Sequence, residues 1–193
     1  MTIDDVETVI VGAGQAGLAL SYHLTQRGRE HLLLERDRIG ERWRSQRWDS
    51  LCFQFPNWML RLPGFAYGGA DPDGFAPRDE VVAFLEDYAA FSRAPVRTGV
   101  SVEQVRAGEG SVRFVLETDR GQLRATNVVI ATGPYQRPAI PAAIAGGLGG
   151  MFQIAANAYR APERLPRGGV LVVGAGASGC QIAEELLRVT GAG

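Results

Sequence analysis

The sequence predicts an α/β chain: a Rossmann-type, three-layer dinucleotide-binding fold that carries an antiparallel β-meander. Three observations lead there. Residues 6–35 run from an apolar stretch through a glycine-rich turn and a helical stripe to a second apolar stretch. Short alternating segments separated by turn signals fill residues 100–126. The strand–glycine loop–helix pattern then recurs at residues 170–189, the one internal repeat in the chain.

The elements follow in order. VETVIV, residues 6–11, precedes a glycine turn and reads as a buried parallel strand. Residues 15–27 place Leu18, Leu20 and Leu24 near helical spacing, and Gly28 stops the helix. HLLLE, residues 31–35, is a second strand ending in an acid. Residues 36–76 are irregular, rich in arginine, glycine, proline and aromatics. A helix is expected over residues 79–92. Val81, Phe84, Leu85 and Tyr88 form its apolar stripe, and Asp79 and Glu80 suit the positive end of its dipole. VSVEQVR, SVRFVLET and QLRAT form the meander. NVVIATG, residues 127–133, is a further buried strand, and residues 134–169 are a connection rich in proline and glycine. VLVV, GAGASG and CQIAEELLRV complete the repeat.

The first glycine loop carries the chemistry. Gly12, Gly14 and Gly17 fit GxGxxG directly between a strand and a helix. The first glycine allows a tight turn, the second lets a pyrophosphate approach the backbone, and the third lets helix and strand pack closely. The free amides and the dipole of the helix start then attract phosphate. Glu35, at the end of the next strand, suits a carboxylate that bonds both ribose hydroxyls. Gly174, Gly176 and Gly179 repeat the loop, which suggests two dinucleotides, one a flavin and one a nicotinamide; the alternative, which the incomplete second unit favours, is a remnant that packs on the first domain without binding anything. The second unit is expected to be incomplete. Its second strand, and the residue that would select NAD or NADP, would lie beyond Gly193.

Composition narrows the function classes. The 193 residues are 46% hydrophobic and 21% charged, enough to bury a core. A formal net charge of -1 gives no field for nucleic acid or an anionic membrane. The acidic start MTIDDVE lacks a signal-peptide pattern, and a reducing cytoplasm is the expected setting. Cys52 and Cys180 are expected to be small buried hydrophobes rather than a disulfide pair. With His23 and His31 in separate elements, no metal site is expected.

Four stretches together resemble the flavin-containing monooxygenase superfamily across essentially the whole chain: VIVGAGQAGLALSYHL, IGERWRSQRWDSLCFQFPNWMLRLPG, NVVIATGPYQRPAIP and YRAPERLPRGGVLVVGAGASGCQIAEEL. The resemblance implies an FAD-binding domain over residues 1–165 and the start of a truncated NAD(P)H-binding domain over residues 166–193. It puts Gly12, Gly14, Gln15, Ala16 and Gly17 on the FAD pyrophosphate, Glu35 on the ribose and Arg36 by the adenosine. Arg42 and Trp43 would lie along the pyrophosphate–flavin stretch, and Val102 would offer backbone to the adenine. Ala131, Thr132 and Gly133 would close over the cofactor, while Gly174, Gly176, Ser178 and Gly179 would cradle NADPH phosphates. Asn57 and its aromatic neighbours would border the space above the flavin, with core packing the alternative for Trp58.

The implied activity is NADPH-dependent oxygenation of a small organic substrate by molecular oxygen through a flavin C4a-hydroperoxide, with no side-chain nucleophile or metal. One departure stands out. The family's stretch FxGxxxHxxx plus an aromatic retains only Tyr159, with Gly149, Met151 and Ala155 where Phe, Gly and His would be. Ala155 cannot donate the hydrogen bond of a histidine. A disulfide-reductase reading would need two cysteines near the flavin, and only Cys52 follows Glu35 in that stretch. A truncated, catalytically inactive FAD-binding module, or a subunit completed by a partner, is the remaining alternative.

Overall fold

The structure is a computed structural model that describes residues 4–109, 112–134, 137–141 and 149–190. Strand β1 (Asp4–Val11) lies at the centre of a six-stranded sheet. β2 (His31–Glu35), β5 (Val96–Thr98), β6 (Val102–Ala107), β7 (Phe114–Thr118) and β8 (Gly121–Ile130) complete it in the order β5-β2-β1-β8-β7-β6. β5, β2, β1 and β8 run parallel, while β8, β7 and β6 form the antiparallel meander. A small antiparallel hairpin, β3 (Arg61–Leu62) with β4 (Phe65–Ala66), stands apart.

The period-two alternation of buried strands sorts side chains between two layers. Ile10 and Leu33 face Leu18 of helix α1 (Gln15–Gln26) and Leu85, Tyr88 and Ala89 of helix α3 (Arg78–Phe91). Val9, Leu32 and Leu34 belong instead to a second cluster with Leu116, Leu123 and Ala125 of the meander. Asp119, at the β7–β8 turn, donates its amide to the Ser101 carbonyl at 3.1 Å and accepts the Ser101 amide at 2.8 Å, which extends the β6–β7 pairing one residue past Val102 and Thr118. Helices, parallel strands and meander are the three layers.

The expected helices form. α1 ends where Gly28 takes φ +62°, and the amides of Gly28 and Arg29 donate to the Thr25 and Leu24 carbonyls. Val81, Phe84, Leu85 and Tyr88 are all buried in α3. Ser21, fully buried in α1, bonds His31 Nε2 at 2.8 Å. The His31 ring donates from Nδ1 to the Arg29 carbonyl at 2.9 Å, which ties α1 to β2.

Four expectations change. QLRAT and NVVIATG form one strand, because β1 runs beside β8 from Leu123 to Ile130. Asn127 is accommodated inside it by bonds from its amide to the Glu7 carbonyl and the Thr8 hydroxyl. Residues 36–76 are not wholly irregular: they hold a short helix α2 (Glu41–Ser45), a 3-10 turn (Asn57–Met59) and the β3–β4 hairpin. VLVV, residues 170–173, is not a strand. No ladder partner stands beside it among the described residues, and Leu171 is 79% exposed. Both cysteines are exposed rather than buried. Leu51 and Ile182 take the inward positions near them, Leu51 beside Cys52 and Ile182 two residues past Cys180. No described helix is long and apolar enough to cross a membrane.

Candidate functional site

The C-terminal ends of β1, β2 and β8 bring three loops together, which is where open parallel sheets present ligand sites. The Gly12 amide donates to the Leu34 carbonyl at 2.8 Å, and the Ala131 amide donates to the Val11 carbonyl at 2.8 Å. The first glycine loop is therefore pinned from both sides.

Its three glycines differ physically. Gly12 has φ +107°, and a Cβ there would lie 2.6 Å from the Ala131 carbonyl oxygen. A Cβ at Gly17 would lie 2.0 Å from the Gly12 carbonyl oxygen. Gly14 has ordinary extended backbone, and a Cβ there would meet nothing within 4 Å. Gly12 and Gly17 are thus required by the fold itself, while Gly14 opens onto free space. Gln15 and Ala16 are exposed at the start of α1, and no side chain caps that helix. Its first-turn amides have no intrahelical acceptor, so this opening is a cradle fit for phosphate.

Glu35 closes the other side. Its Oε2 accepts the Ala13 amide at 2.9 Å and its Oε1 accepts the Asp37 amide at 3.1 Å. Each carboxylate oxygen keeps a free lone pair for a ligand hydroxyl. Glu35→Ala is expected to destabilise the chain by about 1–3 kcal/mol, because two backbone donors lose a charged acceptor. A urea-unfolding midpoint equal to wild type would remove that role.

Arg36 is exposed and pairs with Asp37 at 3.1 Å. Val102 opens β6 in register with Thr118, whereas it is Val100 that touches Glu35, donating its amide to the Glu35 carbonyl at 3.0 Å. Ala131 and Thr132 stand directly behind Gly12, and Gly133 follows them, where a Cβ would lie 3.4 Å from Arg42 Nη1. Arg42 donates through Nη1 to the Pro134 carbonyl and through Nε to Gln46 at 3.1 Å, so α2 is fastened to the turn after β8. Trp43 packs against three of the core clusters. The hydrogen bond from Arg38 holds the Glu41 carboxyl below its usual range. Asn57 is buried, its amide donating to Asp71 and accepting from Ala76, and so pins its own loop. Trp58 is 53% exposed, which excludes core packing for it.

The second loop copies the first in local geometry. Gly174 has φ +113°, a Cβ at Gly179 would lie 2.0 Å from the Gly174 carbonyl oxygen, and Gly176 is open. Ser178 is exposed in the first turn of helix α4 (Ala177–Thr190). What differs is support. Where sheet and α1 hold the first loop, α4 docks through Ile182 and Leu186 on Trp48, Leu51 and Tyr159. The Tyr159 hydroxyl donates to Glu185 at 2.7 Å, and burial followed by that carboxylate pushes its pKa up. The turn leading to Tyr159 is closed on the Ala155 carbonyl. Arg160 then holds the other side, donating to the Ser45 carbonyl and accepting the Asp49 amide at 2.8 Å.

Sequence reasoning missed Ala13, Val100 and Arg160. Ala13 is the variable residue inside GxG, and nothing in a lone arginine marks it as a clamp. Tyr159→Phe is expected to speed amide exchange along α4 while leaving α1 unchanged. Equal exchange in α4 would show that the Tyr159–Glu185 bond does not hold it.

A parallel sheet with a dinucleotide loop at its carboxyl end, and a second loop of the same local geometry further along the chain, fits the two-nucleotide flavoprotein oxidoreductases. The family profile described as pyridine nucleotide-disulphide oxidoreductase matches residues 9–192, and the chain belongs to that family, within the flavin monooxygenase superfamily. A CzcO-like oxidoreductase of Geobacillus kaustophilus is 40% identical over 94% of this chain and 51% of its own length. The indole-3-pyruvate monooxygenase YUCCA1 of Oryza sativa subsp. japonica is 33% identical over 93% of this chain and 45% of its own. Among solved structures, a variant of the flavin monooxygenase from Stenotrophomonas maltophilia superimposes with a TM-score of 0.86 at 28% identity, over 97% of this chain and 56% of that one. The chain spans about half the length of the curated relatives it matches.

Proposed function

We propose that this chain is the nucleotide-binding portion of an NAD(P)H-dependent flavin monooxygenase, acting with molecular oxygen on a small organic substrate. One observation carries the reading: the opening above Gly14, ringed by free amides of α1, lies beside Glu35 and in front of Ala131–Gly133. FAD bound there would supply the redox and oxygen chemistry. The residues supply placement. Gly12–Gly17 hold the pyrophosphate on backbone amides, and Glu35, already oriented by Ala13 and Asp37, takes the ribose hydroxyls. Arg42 stiffens the turn at Pro134, and Trp43 shields that side from water. Gly174, Gly176, Ser178 and Gly179 would receive the phosphates of NADPH. We place the boundary between the FAD unit and the start of the nicotinamide unit at residues 165/166, just past the Tyr159–Arg160 clamp.

A second reading has its own support. VLVV stands without strand partners among the described residues, which favours a catalytically inactive FAD-binding module. Adding NADPH in air to the flavin-loaded chain separates the two. Bleaching and recovery of the visible flavin band is the result expected of the oxidoreductase, and a band indifferent to NADPH is that of the module. Failure to take up FAD at all contradicts both.

A further inference from the structure

We infer that the outer edge of β6 is a self-association surface, where a second copy of this chain pairs antiparallel about a two-fold axis at Val105. β6 is the terminal strand of the six-stranded sheet, with β7 as its one neighbour. Glu103, Gln104, Val105, Arg106 and Ala107 are all exposed, Val105 by 37%. An edge of this kind presents amides and carbonyls that template another strand.

The β7 ladder decides which of those groups are free. Antiparallel pairs alternate between residues that exchange backbone bonds and residues that do not. The Gly108 amide donates to the Arg113 carbonyl at 2.9 Å. Counting from there along Ala107↔Phe114, Arg106↔Val115, Val105↔Leu116 and Gln104↔Glu117, the residues that bond β7 are Arg106 and Gln104. Val105 and Ala107 therefore turn their amides and carbonyls outward, and no described residue bonds them on that side. The ladder shifts register at Glu103, which ends the regular edge.

A second copy fits this edge because the edge is complementary to itself. With Val105 at the centre, each Val105 would exchange both backbone bonds with Val105 of the second copy, and their side chains would form an apolar β-branched pair. Gln104 would then stand opposite Arg106 of the second copy, twice over, and its side-chain carbonyl can accept from the guanidinium. Arg106 already holds Glu117 at 3.2 Å, so its charge enters the seam with a counter-ion. Sliding the strands until Arg106 is the centre would oppose two like charges, which selects the Val105 register. The pairing is isologous and closes on itself, so it makes a dimer rather than a fibre. At the far edge of the sheet β5 is three residues long and gives a second strand little to pair with. The inference is independent of the flavin reading.

The test is sedimentation velocity of the full chain over roughly 1–500 µM, a range that brackets the Kd of about 10–100 µM expected of a short edge contact. A reversible shift from one copy to two with rising concentration supports the inference. Val105→Pro removes the central outward amide while leaving the bonds to β7, and should weaken the dimer about tenfold or more. Val105→Lys, at an exposed position, opposes two ammonium groups, should act in the same direction and serves if Val105→Pro does not fold. Gln104→Arg should weaken the dimer about threefold to tenfold by facing Arg106 with a like charge, and Gln104→Glu should tighten it. A chain that remains a single copy throughout overturns the inference, as does a dimer that folded Val105→Pro and Val105→Lys leave unchanged. A single-copy chain that binds a synthetic peptide of residues 101–108 would mean that the edge takes a free strand, and overturns the assignment to a second copy.

Discussion

Gly17→Ala is expected to destabilise the chain by about 3 kcal/mol or more, seen as a large fall in the urea-unfolding midpoint. The added Cβ would sit 2.0 Å from the Gly12 carbonyl oxygen and 3.4 Å from Ile10 Cγ2. Both neighbours are fixed. Gly12 is bonded to Leu34, and Ile10 is fully buried at the centre of the helix-side core. The only relief is for α1 to retreat from β1, which opens the cluster of Ile10, Leu18 and Leu33. A midpoint within experimental error of wild type would mean that α1 and β1 do not approach as closely as described.

Gly14→Val has the opposite signature. A side chain there meets nothing within 4 Å, and the backbone is extended, so stability should stay near that of wild type. The added methyl groups would occupy the opening above the α1 amides. Loss of even two charge-assisted hydrogen bonds to phosphate amounts to about 3 kcal/mol or more, or at least roughly a hundredfold in FAD affinity. The pair of variants therefore separates the glycine that folds the loop from the glycine that leaves room for a ligand. An undiminished flavin spectrum in Gly14→Val would refute the placement of the pyrophosphate.

The parts of this fold legible in the sequence are those whose contacts are local. Gly12, Gly17 and Glu35 lie within one strand–helix–strand unit, and their spacing alone specifies a turn, a close packing and a carboxylate at a strand end. The stripe of α3 was legible for the same reason. Long-range support was not. Thr126 and Asn127 read as a break, yet β1, far away in sequence, carries β8 through them. VLVV has the pattern of β1 but lacks neighbours to pair with among the described residues, and a strand is defined by its neighbours. β5 is three residues long after a proline, too short for periodicity to register. At the site, Arg44 finds Glu86 forty-two residues on, a pairing that no local rule foretells.

The most direct test of the central claim is FAD binding by the unmodified chain, followed by quenching of flavin fluorescence during titration and by gel filtration of the mixture. The account predicts saturable, equimolar binding, with flavin eluting together with protein. Free FAD separating from a chain whose circular dichroism shows it folded would contradict it.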